Sequence, residues 1–325
     1  MKVAITGSSG HLGRVVADEL LLRNYSVNAL MYQDKSFSNR DVEIVNGDLN
    51  NISSLKNLVK DCETVIHCAG KISINSNRDK SVYETNVGGT KNILEAAIQN
   101  GVRKFIHISS IHAYNQFPKF DLLNEERNYC SNNAPLYDQS KRDAQKLVLN
   151  HTGKGIEIVV LNPTAIIGAP DYKPSLTGKA IIDIYNKKIP ALLNGGFDFC
   201  DVRDVANGIV NAIEHGRNGE SYLLSAKWRH IEDVAKIVMK IKGEKNYLPV
   251  LPAWMGYAGL PFANLYSSIK KSAPLFTTES IDALTKGNRN ISRAKATKDL
   301  NYHCRPLEET IADLIMWFKQ QHFIE

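Results

Sequence analysis

Three side chains in the middle of the sequence have the types and spacing that proton transfer to a carbonyl oxygen requires. Tyr137 and Lys141 stand four residues apart in YDQSK, so on a helix they share one face. A free phenol has a pKa of about 10, and a neighbouring ammonium group favours its phenolate form. Ser110, in FIHISSIHAY, follows an extended apolar segment, and its hydroxyl is placed to hold the oxygen that Tyr137 protonates. A lone Tyr-x-x-x-Lys pair is commonplace, so the prediction depends on all three residues together.

A glycine-rich turn near the N-terminus has the pattern of a phosphate-binding loop. The turn, TGSSGHLG, comes directly after a short apolar segment and directly before apolar residues at helical spacing. Such a turn needs positive φ and close backbone approach, and the helix after it presents free N–H groups to a pyrophosphate. An ordinary loop is the alternative. The predicted cofactor-binding residues of this turn are Gly7, Ser9, Gly10, His11, Leu12 and Gly13.

The end of the second predicted strand bears on which dinucleotide is bound. Met31 and Tyr32 stand where an acidic residue commonly holds the ribose 2′-hydroxyl of NAD. Lys35 and Arg40 are nearby cations for a 2′-phosphate, whereas Asp34 argues for NAD if the strand ends one turn later. We therefore expect NADP or NAD, with NADP slightly favoured and Tyr32 in the cofactor site.

Two polar residues are candidates for supporting roles, each with a structural alternative. Asn86, in TNVGGT, is placed to bridge water or backbone to Lys141, or else to solvate a helix bend. Asp48, in NGDLN, is a candidate acceptor for the adenine amine, or else the N-cap of the next helix.

Substrate contacts are predicted at two places. His112 lies just past the strand that leads to Ser110, and Tyr172 and Lys173 lie in a loop after a later strand. The histidines show no metal-ligand spacing and no His-Glu-x-x-His motif occurs, so no metal site is predicted.

Alternating strands and helices must position these residues. Extended apolar segments and helical patterns alternate from Met1 to about Leu161, which is typical of a parallel sheet with helices on both faces, the doubly wound arrangement. After Pro163 the rhythm loosens. We therefore predict an α/β fold with a nucleotide-binding domain at 1–165 plus about 198–215, and a smaller, mixed C-terminal substrate domain in the remainder of 166–325.

An uncharged stretch between Lys245 and Lys270 invites a membrane interpretation. Pro249, Pro252 and Pro261 would break a spanning helix, so a buried or lid-forming segment is favoured, with membrane-surface contact left open.

Composition excludes several other classes of protein. The 325 residues are 43% hydrophobic and 23% charged, as in globular proteins, and the net charge of +6 includes no long basic run. We expect no nucleic-acid partner. Five widely spaced cysteines without a CxxC pair, and an N-terminus unlike a secretory signal, predict a cytoplasmic protein.

Taken in order, the motifs resemble the extended short-chain dehydrogenase/reductase family. Within it the chain is closest to the NAD-dependent epimerase/dehydratase group and its dihydroflavonol-reductase-like branch. The likeness runs from Met1 to about Ser225 and returns more weakly in Thr277 to Phe318. The motifs are TGSSGHLG, NGDL, HCAG, NVGGTKN, ISSIHAY, YDQSK, LNPTAIIG and FDFCDVRDVANGI.

The resemblance implies a Rossmann fold with Ser110, Tyr137 and Lys141 as a catalytic triad and Asn86 as a helper. It also implies a homodimer. The further cofactor-binding residues are Asp48 and Ala69 at the adenine side, the adjacent Leu49 and Gly70, and Pro163 and Ile166 at the nicotinamide ring.

Two departures from the family weaken a nucleotide-sugar substrate. Met31 and Asn162 replace an aspartate and an arginine that are common in nucleotide-sugar epimerases, and Ile111 and His112 replace the acidic pair of the dehydratases. The favoured hypothesis is NAD(P)-dependent reduction of an aldehyde or ketone. The alternatives are a nucleotide-sugar epimerase with tightly bound NAD and, less favoured, a non-catalytic NAD(P)-binding regulator.

Overall fold

The computed structural model describes residues 1–32, 42–72, 79–245, 248–270 and 277–325. Within these ranges the strands are β1 (Lys2–Thr6), β2 (Ser26–Met31), β3 (Val42–Asn46), β4 (Thr64–His67), β5 (Lys104–Ile108), β6 (Glu157–Pro163), β7 (Ala165–Ile167), β8 (Leu192–Leu193), β9 (Gly196–Asp201), β10 (Glu220–Leu224), β11 (Lys227–His230) and β12 (Val250–Leu251).

Helices connect these strands and cover both faces of the main sheet. They are α1 (His11–Leu22), α2 (Ile52–Val59), α3 (Ser81–Tyr83), α4 (Gly89–Gln99), α5 (Leu136–Leu149), α6 (Leu176–Tyr185), α7 (Val202–His215), α8 (Ile231–Lys242), α9 (Ala253–Lys270), α10 (Thr278–Lys286), α11 (Ala294–Leu300) and α12 (Leu307–Gln320). A π-helical turn, Glu84–Gly88, joins α3 to α4, and a 3-10 turn, Ile111–Ala113, follows β5.

The central sheet has seven strands in the order β3-β2-β1-β4-β5-β6-β10, and every neighbouring pair is parallel. This confirms the predicted doubly wound fold. The strand order reverses between β1 and β4, which leaves a crevice outside the carboxyl ends of these two strands. The candidate residues that follow β1, β4 and β5 therefore converge at one edge of the sheet.

The strands of this sheet are apolar because both of their faces are covered. Alternate residues of β1 point in opposite directions. Val3 and Ile5 pack with α1 and α7, while Ala4 packs with α2 and α4 on the other face. Two hydrophobic layers therefore hold the sheet between helices and fix the positions of its strand ends.

A second, smaller layer lies beyond β6. Strands β7, β9 and β11 form a three-stranded sheet, and β8 pairs with β12. Side chains of α6, α8 and α12 form a separate core, which includes Ile181, Val238 and Leu314. The sequence placed only about 198–215 back in the first domain, but β10, at 220–224, also pairs with β6 in the central sheet.

The uncharged stretch forms a helix. Helix α9 runs from Ala253 to Lys270, so Pro249 and Pro252 precede it, and it continues through Pro261. Trp254, near its start, is 66% exposed. Within the part of the chain that the structure describes, no helix combines the length and apolar character needed to cross a membrane.

Candidate active site

The glycine-rich turn follows β1 in a conformation that only glycine adopts readily. Gly7 has φ of 75°, and a Cβ on it would lie 2.6 Å from the backbone nitrogen of Ala69, just past β4. A Cβ on Gly13 would lie 2.1 Å from the carbonyl oxygen of Gly7. Helix α1 starts at His11, and Gly10 before it provides no side-chain cap. The first N–H groups of α1 are thus available to an anion, which fits a dinucleotide pyrophosphate.

A cavity of about 400 Å³ joins this turn to the predicted catalytic residues. We call it the coenzyme-side cavity. The predicted site residues among those that line it are Gly7, Gly10, His11, Leu12, Gly13, Gly70, Ser110, His112, Tyr137, Lys141, Pro163 and Ile166. The structure therefore brings together the residues that the sequence assigned to cofactor binding and to proton transfer.

Ser110 is held rigidly at the carboxyl end of β5. Its Oγ accepts a hydrogen bond from the backbone N–H of His112 at 3.2 Å, so the hydroxyl hydrogen remains available for donation. Its carbonyl oxygen accepts from Nδ2 of Asn162 at 3.0 Å. The same Nδ2 donates to Oε1 of Gln145 on α5 at 2.7 Å. Asn162 and Gln145 therefore fix the position of Ser110, a role the sequence analysis missed.

Tyr137 and Lys141 lie on successive turns of α5, as predicted. The Ser110 side chain is close enough to the Tyr137 hydroxyl to act on its pKa. Nζ of Lys141 donates to the carbonyl oxygen of Ile108 at 3.2 Å. Lys141 is buried, with 7% of its surface exposed. The amine, the phenol and the serine hydroxyl therefore share one wall of the coenzyme-side cavity.

Burial controls the titration of these two groups. It raises the pKa of Tyr137 to about 12, although the hydrogen bond from Ser110 acts in the opposite direction. Burial also lowers the pKa of Lys141 to about 8, because the charged ammonium is desolvated. The expected lowering of the pKa of the phenol by Lys141 is therefore not seen in this form of the protein. A neutral phenol is suited to donate a proton.

Asn86 lies in the π-helical turn and clamps the chain beside Lys141. Its Oδ1 accepts from the backbone N–H of Lys71 at 2.7 Å, and its Nδ2 donates to the Lys71 carbonyl oxygen at 3.1 Å and to Oγ of Ser140 at 2.9 Å. A Cβ on Gly70 would lie 3.2 Å from Nζ of Lys141 and 3.4 Å from Oδ1 of Asn86. Asn86 therefore holds the backbone segment that separates it from Lys141.

The buried His67 connects the end of β1 to the π-helical turn that contains Asn86. Nδ1 of His67 lies 2.7 Å from Oγ1 of Thr6, and its Nε2 lies 2.9 Å from Oγ1 of Thr90, which donates to the carbonyl oxygen of Asn86 at 2.6 Å. Burial lowers the pKa of His67 to about 3, so the ring is neutral. His107 stacks on it at 5.6 Å, and neither of its ring nitrogens has a hydrogen-bond partner among the described residues.

His112 lies in the 3-10 turn after Ser110, and its environment includes a carboxylate that the sequence analysis missed. Its Nδ1 is 3.1 Å from Oδ1 of Asp138, and its ring meets the Tyr137 ring edge-on at 5.7 Å. Burial lowers the pKa of His112, but Asp138 outweighs this effect and raises it overall. Asp138 directly follows Tyr137, and that position in the first helical turn was the available signal.

A second cavity of about 560 Å³ opens on the other side of Tyr137, and we call it the distal cavity. His112, Gln116 and Tyr137 line both cavities. Oε1 of Gln116 accepts from the backbone N–H of Asn288 at 3.1 Å, which ties the C-terminal segment to the wall. The sequence analysis did not place the segment around Asn288 at the site, because that segment contains no recognisable motif.

Other predicted residues lie outside the lining of these cavities. Tyr172 is 49% exposed, with the Arg14 guanidinium 4.8 Å from its ring and the Trp317 ring edge-on at 5.2 Å. Lys173 beside it is exposed. The expected substrate contact of Tyr172 and Lys173 stays a prediction that this geometry does not favour.

The predicted adenine-side residues surround the ends of β2, β3 and β4. Oδ1 of Asp48 accepts from the backbone N–H groups of Asn50 and Asn51 at 2.7 and 3.1 Å, so it caps a turn, while Asn51 caps α2. Leu49 packs against Gly89. Tyr32 is 60% exposed at the end of β2.

The turn itself contains one contact that the sequence did not indicate. Oγ of Ser8, rather than of the exposed Ser9, donates to the carbonyl oxygen of Leu30 at 3.0 Å. Lys35, Arg40 and Asp34, on which the preference between NADP and NAD depended, lie outside the described residues.

Comparison with known proteins decides the family. Residues 3–225 match the model of the NAD-dependent epimerase/dehydratase family. The chain belongs to this family. The resemblance to extended short-chain dehydrogenases/reductases is confirmed. As a member of the NAD-dependent epimerase/dehydratase family, the protein is an NAD(P)-dependent oxidoreductase or epimerase.

Similarity to individual proteins extends over the whole chain. The sequence is 28% identical to sterol demethylase protein B of Methylococcus capsulatus, over 100% of each chain. It is also 28% identical to a Synechocystis sp. protein provisionally named dihydroflavonol 4-reductase, over 99% of this chain and 95% of that one. The crystal structure of gox2253 superposes with a TM-score of 0.84 at 28% identity, and the match covers 100% of this chain and 99% of that one.

Proposed function

We propose that this protein reduces the carbonyl group of an aldehyde or ketone with NAD(P)H, using Ser110, Tyr137 and Lys141 as its catalytic triad. The observation that carries the proposal is that Ser110 and Tyr137 line the wall of the coenzyme-side cavity together with Lys141, which lies one helical turn from Tyr137. The glycine-rich turn at the other end of the same cavity fits the pyrophosphate of the coenzyme.

Each residue of the triad has a distinct part in this reaction. NAD(P)H, when bound, supplies the hydride. Ser110 and Tyr137 hold the carbonyl oxygen, and the Tyr137 hydroxyl gives its proton to that oxygen as negative charge develops there. Lys141, as a cation, stabilises the phenolate that remains and binds the coenzyme ribose. Asn86 keeps the backbone beside Lys141 in place through its two bonds to Lys71.

The substrate that fits these cavities is mainly apolar. Ile72, Phe117 and Leu176 line the cavity openings and are 67%, 52% and 56% exposed. Exposed apolar side chains at an opening favour an apolar ligand. The similarity to sterol demethylase protein B over the full chain supports a bulky, ring-containing ketone or alcohol.

The alternative, a nucleotide-sugar epimerase, would need cations for the diphosphate of its substrate. The described residues that line the two cavities include the lysines Lys141 and Lys286 and no arginine. A direct test is the coenzyme content of the purified protein. Tightly bound NAD that is neither consumed nor released during turnover would support the epimerase and contradict the reductase.

We further propose NADP as the preferred coenzyme, because β2 ends at Met31 and Tyr32 without a carboxylate to repel a 2′-phosphate. Fluorescence titration is expected to give a dissociation constant about tenfold lower for NADPH than for NADH, or about 1.4 kcal/mol. The tighter coenzyme should then support turnover of a panel of carbonyl compounds. Equal or tighter binding of NADH would contradict the preference.

Reduction should lose efficiency in alkaline solution because Lys141 loses its charge. Burial sets the pKa of this lysine to about 8, so the cation is present below that pH and is lost above it. The ratio kcat/KM reports groups of the free enzyme. We expect it to be level below about pH 8 and to fall about tenfold per pH unit above. A level profile up to pH 10 would show that the charge of Lys141 is not required.

A further inference from the structure

Two side-chain pairs run in parallel between the turn after β5 and the start of α5. Ser110 meets Tyr137, and two residues further along the turn His112 meets Asp138, the next residue of the helix. The backbone N–H of His112 also donates to Oγ of Ser110 at 3.2 Å, so the two pairs are coupled through a short, rigid turn. His112 therefore lines the same cavity as the two groups that address the carbonyl oxygen, and its ring lies 5.7 Å from the Tyr137 ring.

The imidazole of His112 is placed for acid–base chemistry on the substrate. It lines both cavities, and its side chain is 33% exposed. Nδ1 faces the Asp138 carboxylate, which fixes the neutral ring with its proton on Nδ1 and a lone pair on Nε2. Among the described residues Nε2 has no hydrogen-bond partner, so it is available to a ligand in the cavity. The raised pKa of His112 suits exchange of a proton in neutral solution.

We propose that His112, supported by Asp138, is a second acid–base group that exchanges a proton with the carbon next to the carbonyl of the bound ketone. The enzyme would then catalyse enolisation as well as hydride transfer. The inference rests on the proposed function, because the ketone must bind with its oxygen at Ser110 and Tyr137.

The step is balanced without any oxidant or reductant. Nε2 of His112 takes the proton, the electrons of the broken C–H bond form a carbon–carbon double bond, and the carbonyl π electrons move to oxygen. Ser110 and Tyr137 stabilise that oxygen by hydrogen bonds. The imidazolium, whose charge Asp138 stabilises, then returns a proton to the same carbon and restores the ketone.

Deuterium uptake measures this step separately from reduction. Cyclohexanone, trans-2-decalone and 5α-androstan-3-one are incubated in D2O with the enzyme and oxidised coenzyme, which cannot reduce them, and mass spectrometry follows deuterium at the α-carbons. Reduction of the same ketones is measured with reduced coenzyme. We expect wild-type enzyme to accelerate exchange, and His112→Phe, which keeps an aromatic ring beside Tyr137, to slow it at least about 100-fold.

In His112→Phe, exchange should fall at least about tenfold more than reduction does, and His303→Phe, which removes an exposed histidine elsewhere, should alter neither rate. Asp138→Asn gives a second variant of nearly the same shape and should also slow exchange. Reduction without exchange in the wild type would overturn the inference and leave the proposed function standing. Exchange without reduction would overturn the proposed function alone. Neither activity with any of the three ketones would overturn both.

Discussion

Replacing Tyr137 by phenylalanine is expected to lower the turnover of a carbonyl substrate at least about 100-fold. The hydroxyl is the group that gives its proton to the substrate oxygen, and burial raises its pKa to about 12, so the wild-type phenol holds that proton across the neutral range. In the variant, Ser110 is the remaining hydrogen-bond donor of the pair for the negative charge that develops on the substrate oxygen. Steady-state kinetics with the preferred coenzyme measure the loss.

Coenzyme binding and folding should be nearly unchanged in the same variant. Removal of one hydroxyl group that takes part in hydrogen bonding has a net effect of about 1 kcal/mol on the free energy of unfolding. Tyr25→Phe is a matched control, because its hydroxyl binds Glu214 on the surface at 3.0 Å. If Tyr137→Phe turns over normally, the role assigned to the Tyr137 hydroxyl is wrong.

Replacing Gly13 by alanine should weaken coenzyme binding at least about tenfold and lower the free energy of unfolding by about 1–3 kcal/mol. The added methyl would lie 2.1 Å from the carbonyl oxygen and 2.6 Å from the carbonyl carbon of Gly7. Both are backbone atoms, so the turn must shift to accommodate them. That shift moves the N–H groups at the start of α1 away from the pyrophosphate. Fluorescence titration and urea unfolding measure the two effects.

Gly88→Ala is the matched control, since it places the same methyl in another helical glycine. Apart from its chain neighbours and the backbone of its own helix, no described atom lies within 4 Å of a Cβ at Gly88, and its φ of −63° suits alanine. Because alanine has a higher helix propensity than glycine, the free energy of unfolding should be equal to that of the wild type or up to about 1 kcal/mol greater. Similar coenzyme affinities for Gly13→Ala and Gly88→Ala would show that the tight packing of the turn has no role in binding.

The local sequence pattern was sufficient to predict the alternating strands and helices of the central sheet. The strand before Gly7 is a short, nearly continuous apolar run, which is typical of a strand buried in a parallel sheet, and the four-residue spacing of Tyr137 and Lys141 places both on one face of a helix. Residues at the ends of adjacent parallel strands must meet, so the convergence of Gly7 and Ser110 on one edge follows from the predicted topology.

Contacts between distant segments could not be read in the same way. Gln116 binds the backbone of Asn288, and the pairing of β10 with β6 closes the sheet late in the chain. Neither segment has a distinctive composition, because their positions are set by tertiary packing. The π-helical turn that holds Asn86 also escaped prediction, since one extra residue in a helix leaves the apolar pattern almost unchanged.

The late arrival of β10 has a consequence for the order of folding. During synthesis the chain completes β7, β8 and β9 before it supplies the strand that covers the open side of β6. Until Leu224 has left the ribosome, the backbone groups along that side of β6 have no partner strand. A nascent chain that stalls before this point is therefore expected to leave the edge of β6 open to pairing with another chain and to aggregation.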